Sequence, residues 1–155
     1  MAIQKLQVAR AIDVVPNDTI DIPDNALHSV SSTTTATTAS KLVDSAGLFT
    51  TTNEIRIGDI VHNTTDGTIT TVTAIDSATT LSLTDDIMAI SETYSIYRKG
   101  GESCLLYVGV SGDIRVLTEG GDDVTYLAVP VGFMPVHVRR VFATSTTATN
   151  IIGNR

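Results

Sequence analysis

Along this chain apolar residues recur with the period of two that marks half-buried β-strands, in runs too short for helices. After a first run at residues 6–15, strands are predicted at 54–62, 68–75, 80–83 and 93–97, and again at 104–108, 113–117, 123–128 and 134–143. Within 68–75, Thr70, Val72 and Ala74 share one face, and Ile69, Thr71, Thr73 and Ile75 the other, a mixed pattern typical of β-branched strands. In the run from Met134, Val136 and Val138 share its face while Pro135, His137 and Arg139 share the opposite one. Val141 and Phe142 then break the alternation, which predicts a bulge or a twist near Arg140. Turn chemistry punctuates the runs: Pro16-Asn17-Asp18, Ile22-Pro23-Asp24-Asn25, Asp66-Gly67, Gly109-Val-Ser-Gly112, Glu119-Gly-Gly-Asp122 and Pro130-Val-Gly132. The Ser/Thr-rich stretch 29–40 reads as either a linker or an edge strand, and 41–47 is too short for a helix to be assigned.

Composition agrees with an all-β fold. Only 17% of the 155 residues are charged, 42% are hydrophobic, and much of the polar content is threonine, which suits a pleated surface. A net charge of -7 and a pI near 4.7 argue against nonspecific nucleic-acid binding, which needs a basic footprint. The charge is uneven. Residues 28–97 hold Lys41 and Arg56 against eight acids, so -6 of the -7 falls there, as expected of an acidic module exposed to solvent. No apolar run approaches a membrane span, and Met1-Ala-Ile-Gln-Lys5 lacks the apolar core of a signal peptide, so neither a membrane nor a secretory role is expected.

Catalytic readings fail one by one. His28, His62 and His137 lack the spacing of a metal site, and the lone Cys104 sits in an apolar run expected to bury it as an inert thiol. Cys104 and His137 as nucleophile and base are a pair drawn from too small a pool to carry weight. Asp85-Asp86 and Asp122-Asp123 do not follow the alternating ligand pattern of a calcium loop. The glycine turns lack the following helix and lysine of a phosphate loop. No catalytic residue, metal or cofactor is expected, and the protein is read as a non-enzyme.

Two basic pairs stand out, Arg98-Lys99 and Arg139-Arg140. The second is expected either to pair with carboxylates across a subunit contact or to lie exposed on its strand. Ile151 and Ile152 suggest a final edge strand that a neighbouring copy covers, closing a ring of three or five copies through 134–142 and 149–153; internal pairing of that strand stays open as the alternative. The interface candidates are therefore Arg139, Arg140, Phe142, Ile151 and Ile152.

Asp13-Val-Val-Pro16-Asn-Asp-Thr-Ile-Asp-Ile-Pro23, Leu106-Tyr-Val-Gly-Val-Ser-Gly-Asp-Ile114, Val129-Pro-Val-Gly132, Met134-Pro-Val-His-Val-Arg-Arg-Val141 and Ala143-Thr-Ser-Thr-Thr-Ala-Thr149 follow one another in an order that resembles the small head-spike base proteins of tailed bacteriophages and gene transfer agents. The resemblance covers the first 27 residues and those after about Tyr97. In that family a Gly often stands at the position of Ser145, so a less tight turn is expected here. Residues 42–97, with Ile57-Gly-Asp-Ile-Val61, Asn63-Thr-Thr-Asp-Gly67 and Val72-Thr-Ala-Ile-Asp76, are similar instead to a small β module of phage virion proteins. The resemblance implies a discontinuous β-sandwich-like base domain, 1–28 plus 98–155, with an inserted small β-barrel-like domain, 29–97. It further implies a virion structural protein on the outer surface of the head: a capsid decoration or cement protein, or a vertex spike base. Its implied partners are the major capsid protein, copies of itself as a trimer or pentamer, and a spike or fibre protein. A baseplate or tail-adaptor component is the alternative. So is a receptor- or carbohydrate-binding module, against which stand the absence of Trp and an aromatic content of 5%.

Overall fold

A computed structural model of the chain describes residues 9–100 and 102–155, and the side chains of 25–29 lie outside that description. The fold is all-β, and no helix is found among the described residues. The chain divides into two compact units: Met1–Ile22 with Glu102–Arg155, and Pro23–Gly101 between them. The boundaries of the second unit lie outward of the expected 29 and 97. The reason is strand pairing. A strand begins at Asp24, opposite Arg98, so residues expected to end the first arm belong to the insert instead.

The first unit is one antiparallel sheet of strands β1 (Ala11–Asp13), β8 (Cys104–Val110), β9 (Gly112–Thr118), β10 (Asp123–Val129), β11 (Gly132–Val141) and β12 (Thr149–Asn154), in the order β1-β12-β8-β11-β9-β10. The first predicted run shortens to β1, and its residues 6–8 lie outside the described chain. What curls the sheet is β11. Its first part pairs with β8 and its last part with β9, and the register shifts twice along it, once between Met134 and His137 and once between Val138 and Arg140, where a bulge or a twist is expected. On the side of β11 that β8 leaves free, residues 17–22 return: Asn17 N–H donates to Val141 O at 2.9 Å and Ile22 N–H to Arg139 O at 2.8 Å. Inside lie Ile12, Val14, Leu106, Val108, Ile114, Val116, Val138, Val141 and Ile151, all buried. Gly112 permits the crossing of the final loop, since a Cβ there would stand 2.5 Å from Ala148 N.

The second unit is a sheet of β2 (Asp24–Thr33), β3 (Lys41–Val43), β4 (Ile60–Asn63), β5 (Thr68–Ser77), β6 (Thr80–Leu83) and β7 (Thr93–Arg98), ordered β2-β7-β4-β5-β6-β3. Just past β2 the chain bridges Ala36 to Val43 of β3, the opposite end of the sheet, which gives the unit its barrel-like closure. The Ser/Thr-rich stretch thus starts as a strand, and 41–47 supplies β3 rather than a helix. The strand predicted at 54–62 begins only at Ile60. Before it the chain turns, with positive φ at Glu54 and Gly58 and the Asp59 carboxylate accepting Arg56 N–H at 2.9 Å. Asp66-Gly67 closes the β4–β5 hairpin, with Gly67 at φ 70. Leu42, Phe49, Val61, Val72, Leu81, Tyr94 and Ile96 form the heart of the core.

Candidate functional site

The five interface candidates do not share one surface. Ile151 is buried in the core of the first unit, because β12 is not an edge: β1 covers one side of it and β8 the other. The expectation of an open final strand is corrected by that placement, which the sequence reading had left open as internal pairing. Arg139 and Arg140 converge on a carboxylate of their own unit. Arg140 meets Asp21 at 2.7 Å and donates to Asp18 O at 3.0 Å, while Arg139 reaches Asp21 at 3.3 Å. These contacts tie the returning arm 17–22 to β11. Phe142, mostly buried, lies between two guanidiniums, with Arg115 4.4 Å and Arg140 5.6 Å from its ring centre. Asp18 joins the same seam: it accepts the N–H and the hydroxyl of Thr144, and these bonds hold its carboxyl below the usual range.

Ile152 behaves differently. Alternation along β12 turns it away from Ile151 and onto the outer face of the sheet. There the pairing registers put Ile152 opposite Tyr107, and Tyr107 opposite Phe133. Three strands remote in sequence thus build one apolar row, with the Tyr107 and Phe133 rings edge to face at 5.3 Å. Phe133 is 58% exposed. Beyond it the β10–β11 hairpin continues the apolar surface through Val131 and Leu127, 56% and 74% exposed, around a groove of about 400 Å³ that takes in residues 126–136. Between Asp123 and Arg139 the chain has no Asp, Glu, Lys or Arg. Tyr107, Leu127, Val131 and Phe133 escape sequence reasoning, which followed the basic pair and the chain end; that uncharged run was the available signal. Exposed apolar groups gathered at one place mark contact surfaces in soluble proteins.

Elsewhere the side chains expected to be chemically idle have structural partners. Cys104 is buried, its Sγ 3.6 Å from Val138 O, and burial pushes its thiol pKa up. Val138 is its cross-strand partner, so the neighbouring His137 points to the other face, where it meets Ser103 Oγ at 3.2 Å; thiol and imidazole form no pair. Asp85 accepts the Thr70 hydroxyl at 2.9 Å and Asp86 the Ser40 N–H at 2.8 Å. Asp123 takes two bonds from Arg115, at 2.6 and 2.9 Å, which lower its carboxyl pKa. In the second unit Arg98 pairs with the buried Asp59 at 3.0 Å. No group of three or more His, Cys, Asp or Glu among the described residues stands close enough to hold a metal ion. Nor is any described helix long and apolar enough to cross a membrane.

No family model, no curated protein and no solved structure matches this chain. The row of Ile152, Tyr107 and Phe133 and the groove beside it form a partly aromatic apolar surface of the kind that protein contacts bury.

Proposed function

We propose that this protein is a structural component of a tailed-phage virion, carried on the outside of the head as a decoration, cement or vertex spike-base protein. Its first unit docks on the major capsid protein through the row Ile152, Tyr107 and Phe133. The role is structural rather than catalytic. One observation carries the reading. The sequence motifs that resemble spike-base proteins, split by some eighty intervening residues, fall in a single compact unit except for Pro23, while most of the dissimilar stretch forms a unit of its own. The distribution of charge supports docking through the first unit: nine acids against four bases leave -5 on the second unit, and eight against six leave -2 on the first.

Imaging of intact particles with an antibody against the chain tests this directly. Label on the head shell is the expected result. Label confined to the baseplate favours the tail-adaptor alternative, and particles without the protein overturn the virion reading. On a head-located protein, Phe133→Glu with Ile152→Glu is expected to lower occupancy at least tenfold, since burying one such side chain contributes about 1.5–3 kcal/mol.

A further inference from the structure

Among the described residues of the first unit, the outer edge of β10 is the one long apolar strand edge. Its sheet ends at β1 on one side, three residues closing in Asp13, and at β10 on the other, seven residues. Pairing with β9 settles which backbone groups of β10 are engaged. Thr118 N–H donates to Asp122 O at 2.9 Å, and the same register continues through Leu117↔Asp123, Val116↔Val124, Arg115↔Thr125 and Ile114↔Tyr126. Hydrogen-bonded and non-bonded pairs alternate in an antiparallel ladder. Val124 and Tyr126 therefore turn their N–H and C=O toward β9, whereas Asp123, Thr125 and Leu127 turn theirs outward. Arg115, opposite Thr125, agrees: its N–H donates to Thr146 Oγ1 at 3.0 Å and its C=O accepts from Phe142 N–H at 2.9 Å, both away from β10. From Val124 to Leu127 there is no Lys, Pro or inward charge to blunt the edge, and the bulge comes only at Ala128, with φ 49.

We propose that β10 pairs with β10 of a second copy of this chain, antiparallel about a two-fold axis at Thr125. In that register the outward groups of Asp123, Thr125 and Leu127 meet those of Leu127, Thr125 and Asp123 in the other copy. Val124 then faces Tyr126 twice on one face of the joined sheet, an aromatic to β-branched pairing that strands favour. Charge selects both the occupant and the register. Two copies of a chain carrying -7 repel one another least where they meet through a stretch without charge, and the run between Asp123 and Arg139 is such a stretch. An axis at Thr125 keeps the acidic ends of the two strands apart, whereas an axis at Asp123 would set that carboxylate against its own copy. An axis at Leu127 would run the partner into the bulge. The pairing does not rest on the virion reading, because a dimer in solution is measured without reference to any particle.

Light scattering on the full chain over a concentration series is the first measurement, with a mass of twice 16.4 kDa expected at high concentration. Thr125→Pro removes an outward N–H without touching the β9 ladder, and Thr125→Lys sets two ammonium groups face to face on the axis. Each is expected to weaken dimerisation at least tenfold while circular dichroism stays that of the wild type. Thr125→Cys tests the register: Cα atoms of a bonded cross-strand pair lie about 5.5 Å apart, within disulfide reach, so mild oxidation should link two chains through position 125. Tyr126→Cys, facing Val124, should not link to itself. A chain monomeric throughout the series overturns the proposal and leaves the edge to a foreign strand. A dimer or larger ring indifferent to both Thr125→Pro and Thr125→Lys, or a Thr125→Cys protein that cross-links no better than Tyr126→Cys, overturns it in favour of a contact elsewhere.

Discussion

The two units differ most in what they hide. Every buried polar or charged side chain among the described residues belongs to the second unit: Asp24, Thr34, Asp44, Asp59, His62, Asn63, Thr70 and Ser95. The first unit buries apolar groups, and it is also the one that gathers exposed apolar groups, with Leu127, Val131 and Phe133 on one hairpin. In the second, the exposed Leu48, Ile57 and Ile90 are scattered. One half is thus specified by burial of apolar area, which tolerates change in proportion to volume. The other adds satisfied polar pairs to an apolar core of its own, and there loss of one partner strands the other in a low dielectric. Such an interior suits a small barrel whose strands are rich in Thr and Ser. The same unit carries -5 of the net charge of -7.

Removing Asp59 should break this contrast most sharply. Its side chain is 1% exposed and receives Arg98 together with the Arg56 N–H. Asp59→Ala is expected to cost the second unit about 3–5 kcal/mol, the penalty of an unpaired buried charge, and to leave the first unit's melting transition in place. Differential scanning calorimetry would show it; a common shift of all melting would mean that the two units unfold as one.

A smaller effect is expected from Tyr94→Phe. The Tyr94 hydroxyl donates to Asp44 at 2.7 Å inside the second core, and Ala46 N–H donates to the same carboxylate at 2.8 Å. Burial alone pushes the Asp44 carboxyl up, but these hydrogen bonds outweigh it and bring the pKa below the usual value, while burial and the carboxylate push the Tyr94 hydroxyl well above its own. A carboxyl whose pKa is lower folded than unfolded contributes stability that is complete above the unfolded value and is lost as pH falls through the folded one. Tyr94→Phe should therefore cost about 1.5–3 kcal/mol near neutrality and progressively less on acidification below pH 4, read as converging urea midpoints of variant and wild type. Asp66 runs the other way, since the neighbouring Glu92 charge raises its pKa and protonation relieves the repulsion.

The smallest change sharpens the comparison from the first unit. Ser145 has φ 70, in the left-handed region where a side chain costs about 1 kcal/mol. That is the position at which the resembling family often carries Gly. Ser145→Gly is expected to raise the first unit's transition by about that amount and to leave the second unmoved, again by calorimetry.

What the sequence determined by itself was local. Alternation and turn chemistry located nearly all the strands, the Asp66-Gly67 hairpin and the bulge or twist near Arg140, because strand period, positive φ and extra residues are written in neighbouring positions. Everything that depends on which strand lies beside which was decided only in the tertiary structure. Alternation says that Ile151 and Ile152 face opposite ways, but not that β1 and β8 enclose β12, so the supposed edge proved internal. It could not say that Asp24 starts a strand opposite Arg98, nor that Arg139 and Arg140 meet Asp21 across 118 and 119 positions. The row of Ile152, Tyr107 and Phe133 exists only because three registers align, and registers between strands distant in the chain are set by the packing of the whole sheet.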